Sequence, residues 1–347
     1  MSRATPPSQK AALSAPSREA SDQRPPQRFA FVLVPDFSIL AFTSALEPLR
    51  AANRLTGQTF YTWALLSGDG APVHSSSQVG IMVDAALADD QRFDTVIVCA
   101  GLGAETARDL RLEGWLRRLA RQGCRIGSVS TGTYILARAG LLQDVRCTIH
   151  WESLPAFEEA FPDLEATAEL FEIDGLRMTC SGGTASLDMM LSVIGLDLGR
   201  ELATKAAEQF IHERIRSRED KQRMALRARL AVSHPKLLAV IAIMEEHIED
   251  PLPRTDLARM AGLSTRQLER LFRRYLGKTP TRHYLELRLD RARLLLAQTS
   301  MSVLEVATAC GFVSASHFSK CYREFYNRSP RDDRAATPMR ATPAAIA

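Results

Sequence analysis

Two segments of the chain place cationic and hydrogen-bonding side chains along one face of a helix. In the major groove of DNA, such groups read base edges: Arg and Lys pair with guanine, Glu accepts from cytosine, and Ser bonds to several bases. The candidate DNA-contacting residues are Arg266, Glu269, Arg270 and Arg273 in the first segment, and Ser316, His317, Lys320 and Arg323 in the second. A solvated basic helix would show a similar face, but two such segments in tandem favour a protein that reads DNA.

Apolar side chains recur at helical spacing on the opposite side of both segments, as a helix anchored on a core requires. They are Leu268, Leu271 and Phe272 in the first segment, and Phe318, Tyr322 and Phe325 in the second. We therefore predict two recognition helices, over residues 265–275 and 314–325.

A short helix and a tight turn precede each recognition helix. Before the first, a helix over residues 255–260 leads to Gly262, which can adopt the left-handed conformation, and Ser264 can cap the helix that follows. Before the second, a helix over residues 303–310 leads to Gly311. This repeated order predicts two helix-turn-helix motifs about fifty residues apart.

The segment 235–334 resembles the AraC/XylS family of transcription regulators. The family's C-terminal signature is met by Gly311, Phe312, Ser314, Ser316, Phe318, Ser319, Lys320, Tyr322, Arg323, Ser329 and Pro330. Tyr326-Asn327 replaces the usual Phe-Gly pair, and Asp333-Arg334 replaces the usual Tyr-Arg pair. Both departures bear on the C-terminal packing and not on the groove-facing side.

The resemblance implies an all-α domain of seven helices. In it, a linker helix over residues 280–298 would set the two recognition helices against successive faces of the major groove. The resemblance also implies double-stranded operator DNA and RNA polymerase as partners, and it is compatible with a homodimer.

The charge is divided between the two halves of the 347-residue chain. Residues 28–217 hold 17 Lys and Arg against 24 Asp and Glu, a net charge of −7, while residues 218–347 hold 23 against 14, a net charge of +9. A basic half can neutralise phosphates and release counterions, which is the part of DNA affinity that does not depend on sequence. We therefore expect an acidic sensor joined to a basic DNA-binding domain.

The acidic half alternates strand patterns with helix patterns. The predicted strands cover 29–34, 62–67, 95–99, 126–129 and 178–181, and the predicted helices cover 39–53, 104–122, 131–139 and 184–194. Such alternation, with short glycine-bearing connections, predicts an α/β domain with a doubly wound, mostly parallel sheet of flavodoxin-like type. Ligands of such folds bind at the carboxyl ends of the strands.

A sharp strand-to-helix turn at Ser130 is the second informative motif. The region resembles the type-1 glutamine amidotransferase-like superfamily, which includes the intracellular-protease-like proteins and carries a nucleophilic Cys at this corner. Here the corner holds Ser130, and the superfamily's acidic partner on the first helix falls at Ala41. His150 would remain as a base, although a structural His is the stronger interpretation. We therefore expect no catalytic residues; an amidase or glyoxalase-like hydrolase stays the alternative.

Residues 28–217 also resemble those of AraC/XylS regulators that respond to arginine, glycine betaine or carnitine. The resemblance suggests a pocket of Phe37, Glu47, Gly101, Leu102, Ser130, Thr131 and Trp151 for a small nitrogen-containing effector. Trp151 could offer a cation–π face, Glu47 could pair with the cation, and amides at the Ser130 turn could bind a carboxylate. For Trp151, a role in the core or at an interface is an equal alternative.

The expected organisation is a disordered arm (1–27), a ligand-sensing domain (28–200), a helical linker (201–234), the DNA-binding domain (235–334) and a disordered tail (335–347). The arginines of the connection either are solvated or add phosphate contacts, and we favour a linker. No apolar run could span a membrane, the arm lacks the apolar core of a signal peptide, and the scattered cysteines lack metal spacing. We expect a cytoplasmic activator of catabolic or uptake genes, without metal or cofactor.

Overall fold

The structure is a computed structural model that describes residues 25–223 and 226–336. Its strands are β1 Gln27–Leu33, β2 Tyr61–Ser67, β3 Val73–His74, β4 Gly80–Ile81, β5 Ala85–Ala86, β6 Thr95–Cys99, β7 Arg125–Val129, β8 Cys147–Thr148, β9 Ala166–Thr167, β10 Phe171–Asp174 and β11 Arg177–Cys180. The predicted disordered arm and tail lie almost entirely outside the described residues.

Seven strands form the central sheet in the order β10-β11-β7-β6-β1-β2-β5. Every pair in it is parallel except β10 with β11, which are antiparallel neighbours at one edge. The strand order reverses beside β1, so the sheet is doubly wound and ligands are expected at the carboxyl ends next to that point. The predicted flavodoxin-like fold class is confirmed.

Helices cover both faces of this sheet. They are α1 Ile39–Thr56, α2 Leu110–Arg121, α3 Thr133–Arg138, α4 Leu154–Ala160, α5 Ala185–Leu198 and α6 Arg200–Gln209. Alternate residues of β1 enter different cores: Phe29 and Phe31 pack with α1 and α5, whereas Ala30 and Val32 pack with α2 and α3. Because neighbouring strand residues face opposite sides of a sheet, an unbroken apolar strand predicts burial on both faces.

The C-terminal part of the described chain is all-α. After the short α7 Leu226–Leu230 come seven helices: α8 Pro235–Glu246, α9 Arg254–Met260, α10 Thr265–Leu276, α11 Pro280–Gln298, α12 Val303–Ala309, α13 Ala315–Tyr326 and α14 Pro330–Ala336. The long helix α11 contributes Tyr284 to one apolar core and Leu289 to the other. It therefore ties the two helix-turn-helix units together, and its bounds match the predicted linker helix.

Two predicted elements differ from the structure. The helix expected from residue 104 begins at Leu110, because Asp109 caps it by accepting from Leu112 N at 2.9 Å, while residues 104–106 form a turn and 107–109 are irregular. Among its described residues, the connection predicted as a helical linker is helical in α6 and α7 alone. Ile211 takes a left-handed φ of 53°, and residues 210–223 follow an irregular path across the first half.

The two departures from the family signature have structural partners. Asn327 ends α13 in the left-handed conformation, with φ 57°, which Asn tolerates. Asp333 is buried and accepts from the Tyr322 hydroxyl at 2.6 Å, with Arg293 3.2 Å away. The substituted positions thus pack α14 against α13 and α11 by polar contacts.

Candidate DNA interface and candidate ligand rim

The first recognition helix, α10, begins with a capping box. Ser264 Oγ accepts from Gln267 N at 3.2 Å, and Gln267 Oε1 accepts from Ser264 N at 2.8 Å. These bonds satisfy amides that a helix start otherwise leaves without partners. Leu268 and Phe272 are fully buried below them, so the helix is fixed both at its start and along one side.

The opposite face of α10 is exposed and cationic. Arg266, Arg270 and Arg273 all lie on it, and together with Ser264, Gln267, Glu269 and Arg274 they line an open concave surface. Glu269 differs from these arginines, since its carboxylate is paired with Arg254 at the start of α9. Glu269 would have to release Arg254 before its carboxylate could accept a hydrogen bond from a base. The arginines need no such step, so they are more directly available to DNA.

The second recognition helix, α13, has the same construction. Ser314 Oγ accepts from His317 N at 3.2 Å, and Phe318 and Tyr322 are fully buried. The four predicted DNA contacts, Ser316, His317, Lys320 and Arg323, are all exposed. The His317 ring lies edge-on to Phe312, with centroids 5.9 Å apart, and its Nε2 is 3.4 Å from Cys321 Sγ. These contacts hold the imidazole near the start of the helix.

Arg288 is a positioning residue for the second motif that the sequence analysis did not identify. From α11 it donates to the Cys310 and Gly311 carbonyls, both at 2.7 Å, and its guanidinium lies 4.1 Å from the Phe312 ring centroid. Gly311 has φ 70°, and a Cβ there would lie 2.6 Å from Pro251. The sequence predicts the glycine from its place at the turn. It does not predict Arg288, because that partner lies 23 residues away.

The predicted ligand rim is centred on Ser130, the first residue after β7. It has φ 60°, a left-handed value that a non-glycine residue seldom adopts and that marks a constrained site. Gly182, after β11, lies directly against it: a Cβ at Gly182 would be 2.8 Å from Ser130 Cβ. Two strand-to-helix turns therefore meet at the carboxyl edge of the sheet.

Four more predicted residues adjoin this turn. The Thr131 hydroxyl donates to the Gly101 carbonyl, and Gly101 pairs with Phe37 in an isolated antiparallel bridge. Leu102 N donates to Asp36 O at 3.2 Å, and its side chain is 74 % exposed. Gly101 has to lack a side chain, because a Cβ would stand 2.1 Å from Asp36 O. Gly101, Leu102, Ser130 and Thr131 thus form one continuous rim with Phe37, whose side chain is fully buried.

Glu47 and Trp151 stand apart from that group. Glu47 lies about 12 Å along α1 from its N-terminus, at roughly 1.5 Å per residue, and accepts from Arg50 Nε at 2.7 Å. Trp151 is half-buried, and the Arg223 guanidinium carbon lies 4.5 Å from its ring centroid. The structure therefore already supplies a cation for Glu47 and another for Trp151.

The structure offers no ready nucleophile or base from Ala41, His150 or Cys180. Ala41, where the superfamily's acidic residue would fall, carries no ionisable group and is fully buried in the first turn of α1. Burial lowers the pKa of His150, whose Nδ1 lies 3.9 Å from a Glu152 carboxylate oxygen. Burial raises the pKa of the Cys180 thiol to about 11, so it is not a thiolate at neutral pH. Over residues 25–223 and 226–336, no cluster of three or more His, Cys, Asp or Glu has the arrangement of a metal site.

Residues 211–223, here called the strap, are bound to the first half by ion pairs. Asp188 of α5 is fully buried and accepts from Arg216 Nε at 2.8 Å, while His212 Nε2 lies 2.7 Å from it. Farther along, Arg218 lies 3.5 Å from the buried Glu172. Arg216 and Arg218 of the connection are therefore engaged within the protein, which favours a structured connection over phosphate contacts.

The end of the strap is held next to Trp151. Gln222 Nε2 donates to the Ile149 carbonyl at 3.0 Å, the Glu169 carbonyl at 2.8 Å and the Thr148 hydroxyl at 3.1 Å. The Thr148 carbonyl in turn accepts from the Thr133 hydroxyl at 2.8 Å, just after the Ser130 turn. Hydrogen bonds thus link the strap to Thr148, and Thr148 to Thr133, three residues after Ser130.

Comparisons with known proteins divide the chain in the same way. The DJ-1/PfpI family profile matches residues 28–196, and a helix-turn-helix domain profile matches residues 257–336. A crystal structure of an AraC family transcriptional regulator from Pseudomonas putida is 29 % identical with a TM-score of 0.50, covering 53 % of this chain and 100 % of that one. No helix among the described residues is long and apolar enough to cross a membrane.

Two relatives from Pseudomonas aeruginosa align with nearly the whole chain. The HTH-type transcriptional regulator GbdR is 48 % identical over 316 residues, covering 91 % of this chain and 86 % of the relative. The HTH-type transcriptional regulator ArgR is 41 % identical over 310 residues, covering 89 % of this chain and 93 % of the relative. Both alignments include the DJ-1/PfpI region as well as the helix-turn-helix region.

Proposed function

This chain belongs to the family of HTH-type transcriptional regulators that join a DJ-1/PfpI domain to an AraC-type helix-turn-helix domain, and we propose that it activates genes in response to a small nitrogen-containing metabolite. The observation that supports DNA reading most directly is the pair of capped recognition helices. Each has a buried apolar side and an exposed polar side, and α11 holds both at a fixed separation.

For the DNA site, we propose Arg266, Glu269, Arg270 and Arg273 in α10, and Ser316, His317, Lys320 and Arg323 in α13. The exposure of all of these residues except the half-buried Glu269 supports the assignment, as does the +9 charge of residues 218–347. The partners are a double-stranded operator and RNA polymerase, and a homodimer would match a two-part operator.

For the sensor site, we propose that the rim of Phe37, Gly101, Leu102, Ser130 and Thr131 binds the effector, with Trp151 at its cationic end. Glu47 would have to release Arg50 to contribute there. Amides at the Ser130 turn suit a carboxylate, and an aromatic face suits a quaternary ammonium or guanidinium group. The effector class is therefore an amino acid, betaine or carnitine. Ser130 at the corner and Ala41 on α1 support binding without catalysis, since neither supplies a thiolate or carboxylate.

The test combines effector binding with operator binding. A thermal-shift screen with L-arginine, glycine betaine and L-carnitine should raise the melting temperature, because a ligand at 100 times its Kd stabilises by about 2.7 kcal/mol. Ser130→Trp should remove this shift and leave operator affinity unchanged. An equal shift in Ser130→Trp would place the effector site elsewhere, and loss of both activities would mark a folding defect.

The left-handed conformation of Ser130 favours a second candidate, a hydrolase, because nucleophiles at sharp strand-to-helix turns take this form. Turnover of an amide or aldehyde by the purified protein, abolished in Ser130→Ala, would support that candidate. Unchanged residual turnover in Ser130→Ala would exclude Ser130 as the nucleophile.

A further inference from the structure

We propose that Arg223 is an internal cation that occupies the face of Trp151 until a cationic effector displaces it, and that this exchange transmits effector binding to the DNA-binding helices. The inference rests on the proposed sensor function. It adds the charge class that the Trp151 end recognises and the first step by which binding is communicated.

The contact has the geometry of a cation–π pair. The Arg223 guanidinium carbon lies 4.5 Å from the Trp151 ring centroid, within the roughly 6 Å over which such pairs attract. The Arg223 side chain remains 45 % exposed, so its guanidinium can leave the ring without opening a core. A quaternary ammonium or guanidinium ligand would need the same ring face, which makes the two cations competitors.

Arg223 also faces the C-terminal half. Its Nη1 lies 3.9 Å from Glu245 Oε1 on α8, and Arg229 of α7 donates to the same carboxylate oxygen at 2.5 Å. Contacts therefore run from Trp151 on the ligand side, through Arg223, to Glu245 on the first helix of the DNA-binding half. A guanidinium displaced from Trp151 stays attracted to Glu245, and this changes the charge balance around α7 and α8.

Trp151 adjoins a second contact between the two halves. Helix α4 begins three residues after it, and Ala156 on α4, 1 % exposed, packs in the apolar core with Leu289 and Leu295 of α11. The helix that sets the two recognition helices therefore rests on the element that follows Trp151. A ligand at Trp151 acts at the junction itself and not at a distance from it.

The backbone beside Arg223 remains fixed while its side chain is free to exchange. The two N–H groups of Gln222 Nε2 are shared among three acceptors, the Thr148 hydroxyl and the Ile149 and Glu169 carbonyls. This anchoring keeps the guanidinium close to Trp151 at high effective concentration, and it limits the exchange to one side chain. The effector then competes with Arg223 for the Trp151 ring. Its apparent affinity falls as the fraction of molecules with Arg223 on the ring rises.

The first experiment measures effector affinity by calorimetry in the full-length chain. Glycine betaine, L-arginine and L-carnitine are the probes, and 3,3-dimethylbutanoate is a neutral-headed analogue of glycine betaine with the same shape. Arg223→Gln should bind the cations roughly 3- to 10-fold tighter than the wild type, because the internal competitor is gone. Arg223→Lys keeps a cation and should gain less, and Arg214→Gln, an exposed arginine of the strap paired with Asp220, should gain nothing.

Dependence on the ring is tested with Trp151→Leu. In that background Arg223→Gln should no longer tighten binding, since the two side chains act as a pair, and the difference between the single and double variants gives their coupling. The neutral analogue should show no gain from Arg223→Gln in either background. Cation affinity that is unchanged or weaker in Arg223→Gln overturns the proposal, as does equal tightening of the neutral analogue.

The second experiment follows the Arg223 side chain by limited modification with phenylglyoxal, which reacts with accessible guanidinium groups, and identifies the modified arginines by mass spectrometry. A bound effector should increase modification of Arg223 in the wild type, because it displaces the guanidinium from Trp151. In Trp151→Leu, modification of Arg223 should already be high without ligand, and in Arg214→Gln it should respond as in the wild type. If Ser130→Trp blocks binding but Arg223→Gln leaves affinity unchanged and effectors leave the modification of Arg223 unchanged, the exchange of Arg223 alone is wrong. If none of the three probes binds the wild type, both the cationic effector class and the exchange are wrong.

Discussion

Asp188 and Arg216 join the strap to the buried start of α5. Asp188 is 0 % exposed, and Arg216 donates to it from the backbone amide at 2.7 Å and from Nε at 2.8 Å. His212 Nε2 lies 2.7 Å from the same carboxylate. A buried carboxylate that keeps three partners is tolerated, whereas one that loses its main cation is costly. Arg216 therefore holds the connection to the first half, because without it the buried Asp188 carboxylate would lose its main cation.

We expect Arg216→Ala to lower the free energy of unfolding by about 3 kcal/mol, because it leaves the buried carboxylate with His212 and a backbone amide alone. Urea unfolding of the purified protein is the measurement. Arg214→Ala, which breaks an exposed pair with Asp220 in the same strap, should change stability little. Equal losses in both variants would show that burial of Asp188 is not the cause.

The features predicted from sequence are those that local rules determine. The sequence predicts a left-handed Gly262 and places Gly311 at the equivalent turn, and their φ angles are 61° and 70°. Ser264 was predicted as a cap and makes a complete capping box. The apolar spacing of Leu268 and Phe272 predicted their burial, which is complete. Each of these residues is specified by neighbours within four positions, so the chain itself carries the information.

The features that were missed depend on distant partners. Arg216 meets Asp188 across 28 residues, and Gln222 meets Thr148 across 74. Basic residues on a connection have the same composition whether they are solvated or paired with buried carboxylates. The contact between Arg223 and Trp151 cannot be predicted from the sequence either, because no periodicity brings two such positions together. The individual residues proposed for DNA and effector contact remain predictions.

Gly182→Ala should disturb the rim more than an ordinary glycine replacement. Gly182 has φ 95°, and a new Cβ would lie 2.8 Å from Ser130 Cβ, so backbone strain and a steric clash add together. Gly57 also has a left-handed φ, 68°, but nothing lies within 4 Å of a Cβ there. Gly57→Ala should cost about 1 kcal/mol of stability. Gly182→Ala should cost more and also weaken effector binding by calorimetry; matching effects of the two variants would contradict this role of Gly182.

Arg288→Ala should loosen the second helix-turn-helix. It removes two hydrogen bonds to the Cys310 and Gly311 carbonyls and the contact with Phe312, for a loss of about 2–3 kcal/mol. Arg288→Lys should rescue little, because an ammonium group cannot donate in the planar two-pronged geometry. Amide hydrogen exchange in α12 and α13, compared with α9 and α10, measures the effect. Uniform loss of protection in all four helices would argue against a local role.

Stability should fall as the pH drops below about 6.5, in part through His283. Burial lowers the pKa of this histidine below its ordinary 6.5. Neither ring nitrogen has a hydrogen-bond partner among the described residues. Between the lowered pKa and 6.5 the unfolded chain binds the proton more readily than the folded chain, so unfolding becomes easier as the pH falls. His283→Leu should reduce the loss between pH 7.5 and pH 5.5 in urea unfolding, whereas exposed His74→Gln should not. An identical pH dependence in wild type and His283→Leu would exclude this histidine as a cause.

Arg270 is the side chain for which we expect the clearest effect on sequence specificity. It is exposed on α10, one turn from Arg266 and Arg273. Its guanidinium makes no hydrogen bond or ion pair with the residues that the structure describes. A bidentate contact with guanine would make Arg270→Ala cost about 1–3 kcal/mol on the operator and less on unrelated DNA. Binding is measured at several salt concentrations, because loss of a phosphate contact alone would weaken all sequences equally and reduce the salt dependence by about one ion. Arg259→Ala is the matched control, since it removes an exposed arginine of α9 that is paired with Asp256 and lies outside the recognition helix. Equal loss on operator and random DNA in Arg270→Ala would reassign Arg270 from base reading to phosphate binding.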